Sequence, residues 1–126
     1  MPRQWVARSD CNHAVALSFE LSGDWMQNYQ QMIPDQLNDG IRVLIYAGDQ
    51  DYICNWLGNQ AWTQALPWPH QGDFNSTAPK PWAVDGKAAG TLQTSNGFSF
   101  LRVYDAGHMV RPHPPRTRPT TPPPPP

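Results

Sequence analysis

Three side chains stand out for chemistry: Asp49 and Asp51 in Gly48-Asp49-Gln50-Asp51, and His108 in Gly107-His108-Met109-Val110. Each group follows a short apolar run, so each is expected on a loop held by a rigid element yet open to solvent. A neutral imidazole can take a proton from a nucleophile while an adjacent carboxylate fixes its tautomer and stabilises the imidazolium that forms. Spacing alone leaves either aspartate as that acid, and it leaves open that all three are surface polar groups. No nucleophile is evident, because Ser9, Ser18, Ser22, Ser76, Ser95 and Ser99 include none within Gly-x-Ser-x-Gly. Cys54 would need His108 beside its sulfur rather than beside Asp51. Asp49, Asp51, His70, His108 and His113 fit no metal-ligand spacing, so neither a metal nor another cofactor is expected.

The elements that must position these groups follow from periodicity. Asp24 and Gln27 resemble a capping box, and Trp25, Tyr29, Met32, Ile33 and Leu37 recur at helical spacing, which predicts one amphipathic helix over 25–37. Residues 41–47 form a short β-branched apolar run ended by Gly48 and Asp49, suited to a strand buried on both faces. A second helix is predicted over 55–65, with Asn55 as its cap and Pro67 and Pro69 beyond its end. Residues 67–90 read as an irregular loop. Phe98 to Tyr104 reads as a further strand after the turn-like Ser95-Asn96-Gly97. Helix followed by buried strand is the pattern of an α/β sheet, and ligands gather at the carboxyl edge of such sheets. The expected fold is therefore α/β, with parallel strands and flanking helices. Acid before histidine is also the order in which an α/β-hydrolase places the last two members of its triad.

Composition limits the alternatives. The 126 residues suit one compact domain. A formal net charge of -1 provides no long-range basic field for nucleic acid or an anionic membrane, so neither partner is expected. The chain divides near 109–111. Residues 1–109 carry 6 basic groups and all 10 acidic ones, whereas Arg111, Arg116 and Arg118 lie beyond, with 9 of the 15 prolines between Pro112 and Pro126. That segment, 111–126, is expected to be extended or disordered. No apolar run approaches bilayer length, and Met1 to Arg8 lacks the pattern of a signal peptide. Cys11 and Cys54 are too few for a disulfide framework. Asn75-Ser76-Thr77 fits the N-glycosylation sequon.

The words around the candidate residues add a resemblance. Tyr46 to Asn59, reading YAGDQDYICNWLGN, together with Gly107-His108-Met109-Val110, closely resembles the two C-terminal catalytic blocks of the serine carboxypeptidases, in particular the carboxypeptidase Y-like ones. These are vacuolar, lysosomal or secreted enzymes that remove C-terminal residues from peptides. Ser22-Gly23-Asp24-Trp25-Met26 and Trp62 to Trp68 extend the likeness, which covers about residues 9–110. It implies that residues 1–110 are the C-terminal portion of an α/β-hydrolase domain, that Asp51 is the triad acid and His108 the base, and that the substrate is a peptide. It further implies that Cys54 and Met109 line the substrate pocket beside them. Asp49 stands as the runner-up acid.

Departures from the family pattern matter for activity. The serine elbow and the oxyanion-hole amides are not found in these 126 residues, so the isolated chain is expected to be inactive, with the N-terminal part of the enzyme as its partner. Cys11 resembles a family cysteine bonded far upstream. After Val110 the family continues into a closing helix, whereas this sequence runs into prolines, which suggests a replaced terminus. The competing class is a binding module, since Arg116 to Pro122 carries Arg-x-x-Pro-x-x-Pro, a pattern that docks into aromatic grooves.

Overall fold

The computed structural model describes residues 12–110. The proline-rich segment, its Arg-x-x-Pro-x-x-Pro pattern and Cys11 lie outside them. The chain divides into two units at Gln30/Gln31.

In the first unit, helix α1 spans His13–Ser22. The Asn12 side chain accepts hydrogen bonds from the amides of Ala14 and Val15, satisfying two of the donors that a helix start leaves free. Gly23 ends the helix in the left-handed conformation at φ 71°, its own N–H donating to Glu20 O. A 3-10 turn at Asp24–Met26 follows, and the Tyr29 hydroxyl donates to the Asp24 carboxylate.

The single helix expected over 25–37 is not formed. The chain makes the turn at Asp24–Met26, becomes extended at Gln27, makes a second 3-10 turn at Tyr29–Met32, and only then forms helix α2, Ile33–Asn38. Pro34 is the cause. Proline has no N–H and its ring clashes with the carbonyl four residues back, so it is tolerated in the first turn of a helix and not in its interior.

The second unit is built on a four-stranded sheet of order β1-β4-β3-β2, with β1 at Val43–Gly48, β2 at Lys80–Val84, β3 at Lys87–Ser95 and β4 at Phe98–Val103. Only β1 and β4 run parallel; β2, β3 and β4 form an antiparallel meander, so the sheet is mixed rather than parallel throughout. Helix α3, Trp56–Ala65, agrees with expectation, its Asn55 cap accepting from the Gly58 amide at 2.8 Å. The stretch 67–90, read as irregular, instead contains α4, Gln71–Ser76, together with β2 and the start of β3. Asp85-Gly86, at φ 50° and 76°, is the tight turn that joins the last two.

The core lies on one side of this sheet. Leu66, Trp68, Phe74, Phe98 and Phe100 are buried together, and Ile33, Leu37, Val43, Ile45 and Trp62 pack against them. Trp68 and Phe74 meet Phe98 at 5.7 and 4.9 Å between ring centroids, within the range of favourable aromatic pairs. Gln93, buried among them, donates from Nε2 to Phe74 O at 2.7 Å and so ties β3 to α4. Strand β1 is not covered on both faces as expected. Val43 and Ile45 face the core, whereas Leu44 and Tyr46 are 51% and 57% exposed.

Candidate active site

The parallel pairing of β1 and β4 sets their carboxyl ends side by side, in the register Gly48↔Val103. The loops that leave those ends are then tied together by backbone. The Asp49 amide donates to Val103 O at 2.9 Å and the Gln50 amide to Ala106 O at 3.0 Å. This approach is possible only because residue 48 is glycine: a Cβ there would lie 2.1 Å from Ala106 O.

Asp49 completes the clamp. Its Oδ1 accepts from the Asp105 amide at 2.9 Å, and its Oδ2 accepts from Arg102 Nη2 at 3.1 Å. The Arg102 guanidinium lies 4.0 Å from the centre of the Trp56 ring and 5.2 Å from that of Tyr104, so the arginine is held by charge and by aromatic faces together. Asp49 thereby joins the acid loop to the histidine loop. Sequence reading missed Arg102, Trp56 and Tyr104 as parts of this arrangement, because their partners lie on other elements and no spacing along the chain reports them.

On this platform Asp51 and His108 meet. His108 Nδ1 lies 2.9 Å from Asp51 Oδ2, although 57 residues separate them. The other carboxylate oxygen, Oδ1, accepts from the amides of Ile53 and Cys54 at 3.0 and 3.1 Å. The Asp51 side chain is 6% exposed and that of His108 60%, so the acid is enclosed and the imidazole faces outward. The hydrogen bond with His108 holds the Asp51 carboxyl below its ordinary value; desolvation opposes this, while the Cys54 amide, the His108 charge and the Ile53 amide add to the lowering. Asp51 is therefore ionised at neutral pH.

Cys54 sits beside the pair. Its free, exposed thiol, an Asp51 carboxylate oxygen and a His108 ring nitrogen all lie within 4.8 Å of one another. The backbone of Cys54 is held at both ends, since its amide donates to Asp51 and its carbonyl accepts from Asn59 Nδ2 at 3.0 Å. Met109 follows His108 and is 72% exposed. The structure thus brings Asp51, His108 and Cys54 together and directs Asp49 to a different partner.

An acid and a histidine at the carboxyl edge of adjacent parallel strands, on an α/β framework, is the arrangement of an α/β-hydrolase. Comparison with known proteins agrees. The sequence model of the serine carboxypeptidase family, Peptidase S10, matches residues 3–120. The chain belongs to that family. Carboxypeptidase Y of Komagataella phaffii is 48% identical over 100 residues, and carboxypeptidase Y homolog A of Fusarium vanettenii is 52% identical over 100. Each alignment covers 79% of this chain but only 19% and 18% of the relative, so the chain spans about a fifth of their length. Among solved structures, a prohormone-processing carboxypeptidase of Saccharomyces cerevisiae, Kex1, is similar with a TM-score of 0.58 and 27% identity, over 64% of this chain and 18% of the other.

Proposed function

We propose that Asp51 and His108 are the acid and base of a Ser-His-Asp triad, and that this chain is the acid- and base-bearing portion of a serine-type carboxypeptidase that releases C-terminal residues from peptides. The contact of His108 Nδ1 with Asp51 Oδ2 at 2.9 Å carries this reading. An ionised carboxylate beside Nδ1 keeps the ring proton on that nitrogen and leaves Nε2 with a free lone pair. A serine hydroxyl placed against Nε2 would give up its proton there as its oxygen attacks the peptide carbonyl. The imidazolium so formed is stabilised by Asp51, which keeps its own charge, and Nε2 then returns the proton to the departing amine.

The serine comes from outside these 126 residues, because none of the chain's six serines lies in a Gly-x-Ser-x-Gly elbow. Its partner is accordingly the remainder of the family domain, and its substrate a peptide. Cys54 and Met109 flank the acid and the base and offer a soft, adaptable lining for the substrate. The domain boundary near residue 110 and a vacuolar or secretory location belong to the same reading. No metal or cofactor enters this mechanism.

A chimera tests it. Residues 12–110 replace the matching segment of the Komagataella carboxypeptidase Y, and hydrolysis of a blocked dipeptide is followed at mildly acidic pH. Activity in the chimera, lost in its H108A form, supports the assignment. A well-folded chimera with full activity after H108A overturns it. The 126-residue chain alone is expected to hydrolyse nothing and to form no adduct with a serine-directed covalent inhibitor.

A further inference from the structure

Asn75 opens the only Asn-x-Ser/Thr triplet in the sequence, Asn75-Ser76-Thr77, and threonine stands at its third position. Chance supplies such triplets often, so the surroundings decide whether this one can carry a sugar. Three features of those surroundings favour it.

First, Asn75 is exposed, and so are Gly72, Ser76 and Ala78 around it. It occupies the last turn of α4. Gly72, one turn earlier on the same short helix, has open space beside it, since a Cβ built there meets nothing within 4 Å. The exposed end of α4 therefore leaves room for a first sugar ring.

Second, the amide geometry tolerates the linkage. Asn75 Nδ2 donates to Gln64 O at 3.1 Å, fixing the end of α4 against the end of α3. A side-chain amide has two N–H groups. Attachment of a sugar to Nδ2 replaces one hydrogen and leaves the other to donate to Gln64, and Gln71 Nε2 already donates to the same carbonyl at 2.8 Å. Third, the rest of the sequon is engaged only with its own turn: Ser76 Oγ and Thr77 Oγ1 both donate to Asp73 O, at 3.0 and 2.8 Å. The Asn75 side chain itself is exposed, whereas Phe74 beside it is fully buried.

We propose that Asn75 is an N-glycosylation site, with the glycan carried on the exposed end of α4. The inference rests on the secretory location given above, because the modification is made only on chains that enter that pathway. It also assigns the outer face of α4 to solvent in the whole protein, since a glycan is bulky and stays on the surface.

Expression of the full chain in yeast behind an appended secretory leader, itself bearing one reporter sequon, separates the two ideas. The reporter shows entry into the pathway. The expected result is two endoglycosidase-sensitive mobility shifts, one of which disappears in N75Q and in T77A and is retained in T77S, with Asn75 converted to Asp in the enzymatically released peptide. A chain glycosylated at the reporter and bare at Asn75 overturns the proposal, as does a second shift that survives N75Q.

Discussion

Because Oδ1 of Asp51 accepts from the Ile53 and Cys54 amides, the carboxylate cannot rotate freely, and Oδ2 is left facing His108. This makes Asp51→Asn a sharp test in the chimera. The two amides require an oxygen at the Oδ1 position, so the asparagine must turn its NH2 group toward His108 Nδ1. Nδ1 then has to accept, the ring proton moves to Nε2, and the base has no lone pair for the serine. A loss of about 10⁴-fold in kcat is expected, with KM little changed, as measured by dipeptide hydrolysis. A loss confined to KM would place Asp51 in substrate binding instead. The same hydrogen bond makes a prediction about stability. A carboxylate whose pKa is lowered on folding contributes stability that is present above its unfolded value, about 3.9, and is lost as pH falls through the lowered folded value. His108→Ala removes the largest cause of that lowering. The gap in urea midpoint between the parent chain and H108A should therefore be open above about pH 4 and close at lower pH. A gap unchanged down to the acid limit would show that the two side chains are not coupled.

At the scale of elements, the pair exists because β1 and β4 are parallel neighbours whose exits are clamped together. Gly48→Ala would drive a methyl to 2.1 Å from Ala106 O, and neither backbone can move without breaking the Asp49–Val103 and Gln50–Ala106 hydrogen bonds. A destabilisation of about 1–3 kcal/mol in chemical denaturation is expected, together with loss of the lowering that His108 imposes on the Asp51 carboxyl, read by NMR titration of Asp51. Asp49→Ala leaves the Arg102 guanidinium and the Asp105 amide without their acceptor, at an expected cost of about 1.5–3 kcal/mol. If D49A instead retained full stability and an unaltered Asp51 titration, the clamp would play no part in positioning the pair. Much of this scaffold could be read from sequence: α3 with its Asn55 cap, the strands β1 and β4, and the acid and histidine loops that leave them. Those elements announce themselves locally, through a capping side chain or a β-branched run. The helix expected over 25–37 does not form because the apolar spacing of Trp25, Tyr29 and Ile33 carries no trace of the constraint from Pro34, which can only start a helix there. β2 and β3 were hidden by their composition. Lys80-Pro81-Trp82 and Lys87-Ala88-Ala89-Gly90 contain no β-branched residue, and only the Asp85-Gly86 turn marks a hairpin. The Asp49–Arg102–Trp56 cluster was invisible because pairing across a sheet leaves no periodic trace along the chain.

For the second unit as a whole, the two outer strands of the sheet are unlike. β2 carries Lys80 and Pro81, and a charge and a proline both discourage pairing with another chain. β1 reads VLIYAG, with no charge and no proline, and stands at the other end of the strand order. Its outward residues Leu44 and Tyr46 are exposed, and Leu44 joins Trp82, Leu92 and Leu101 around an open depression of about 790 Å³ on the face away from the core. Among the described residues nothing pairs with that edge or covers the apolar face beside it, which favours association through both backbone pairing and burial of apolar surface. The isolated 126-residue chain should consequently self-associate, with a mass by light scattering that rises with concentration. The double variant Leu44→Lys, Tyr46→Lys places two charges on that face and opposes both routes, while Val43 and Ile45 keep their places in the core. It should remain near monomeric mass over the same concentrations and retain the His108–Asp51 coupling by NMR, since neither substitution touches the loops beyond Gly48. A parent chain that stays monomeric throughout would show that this face does not drive association, and a variant that associates as strongly as the parent would move the sticky surface away from β1.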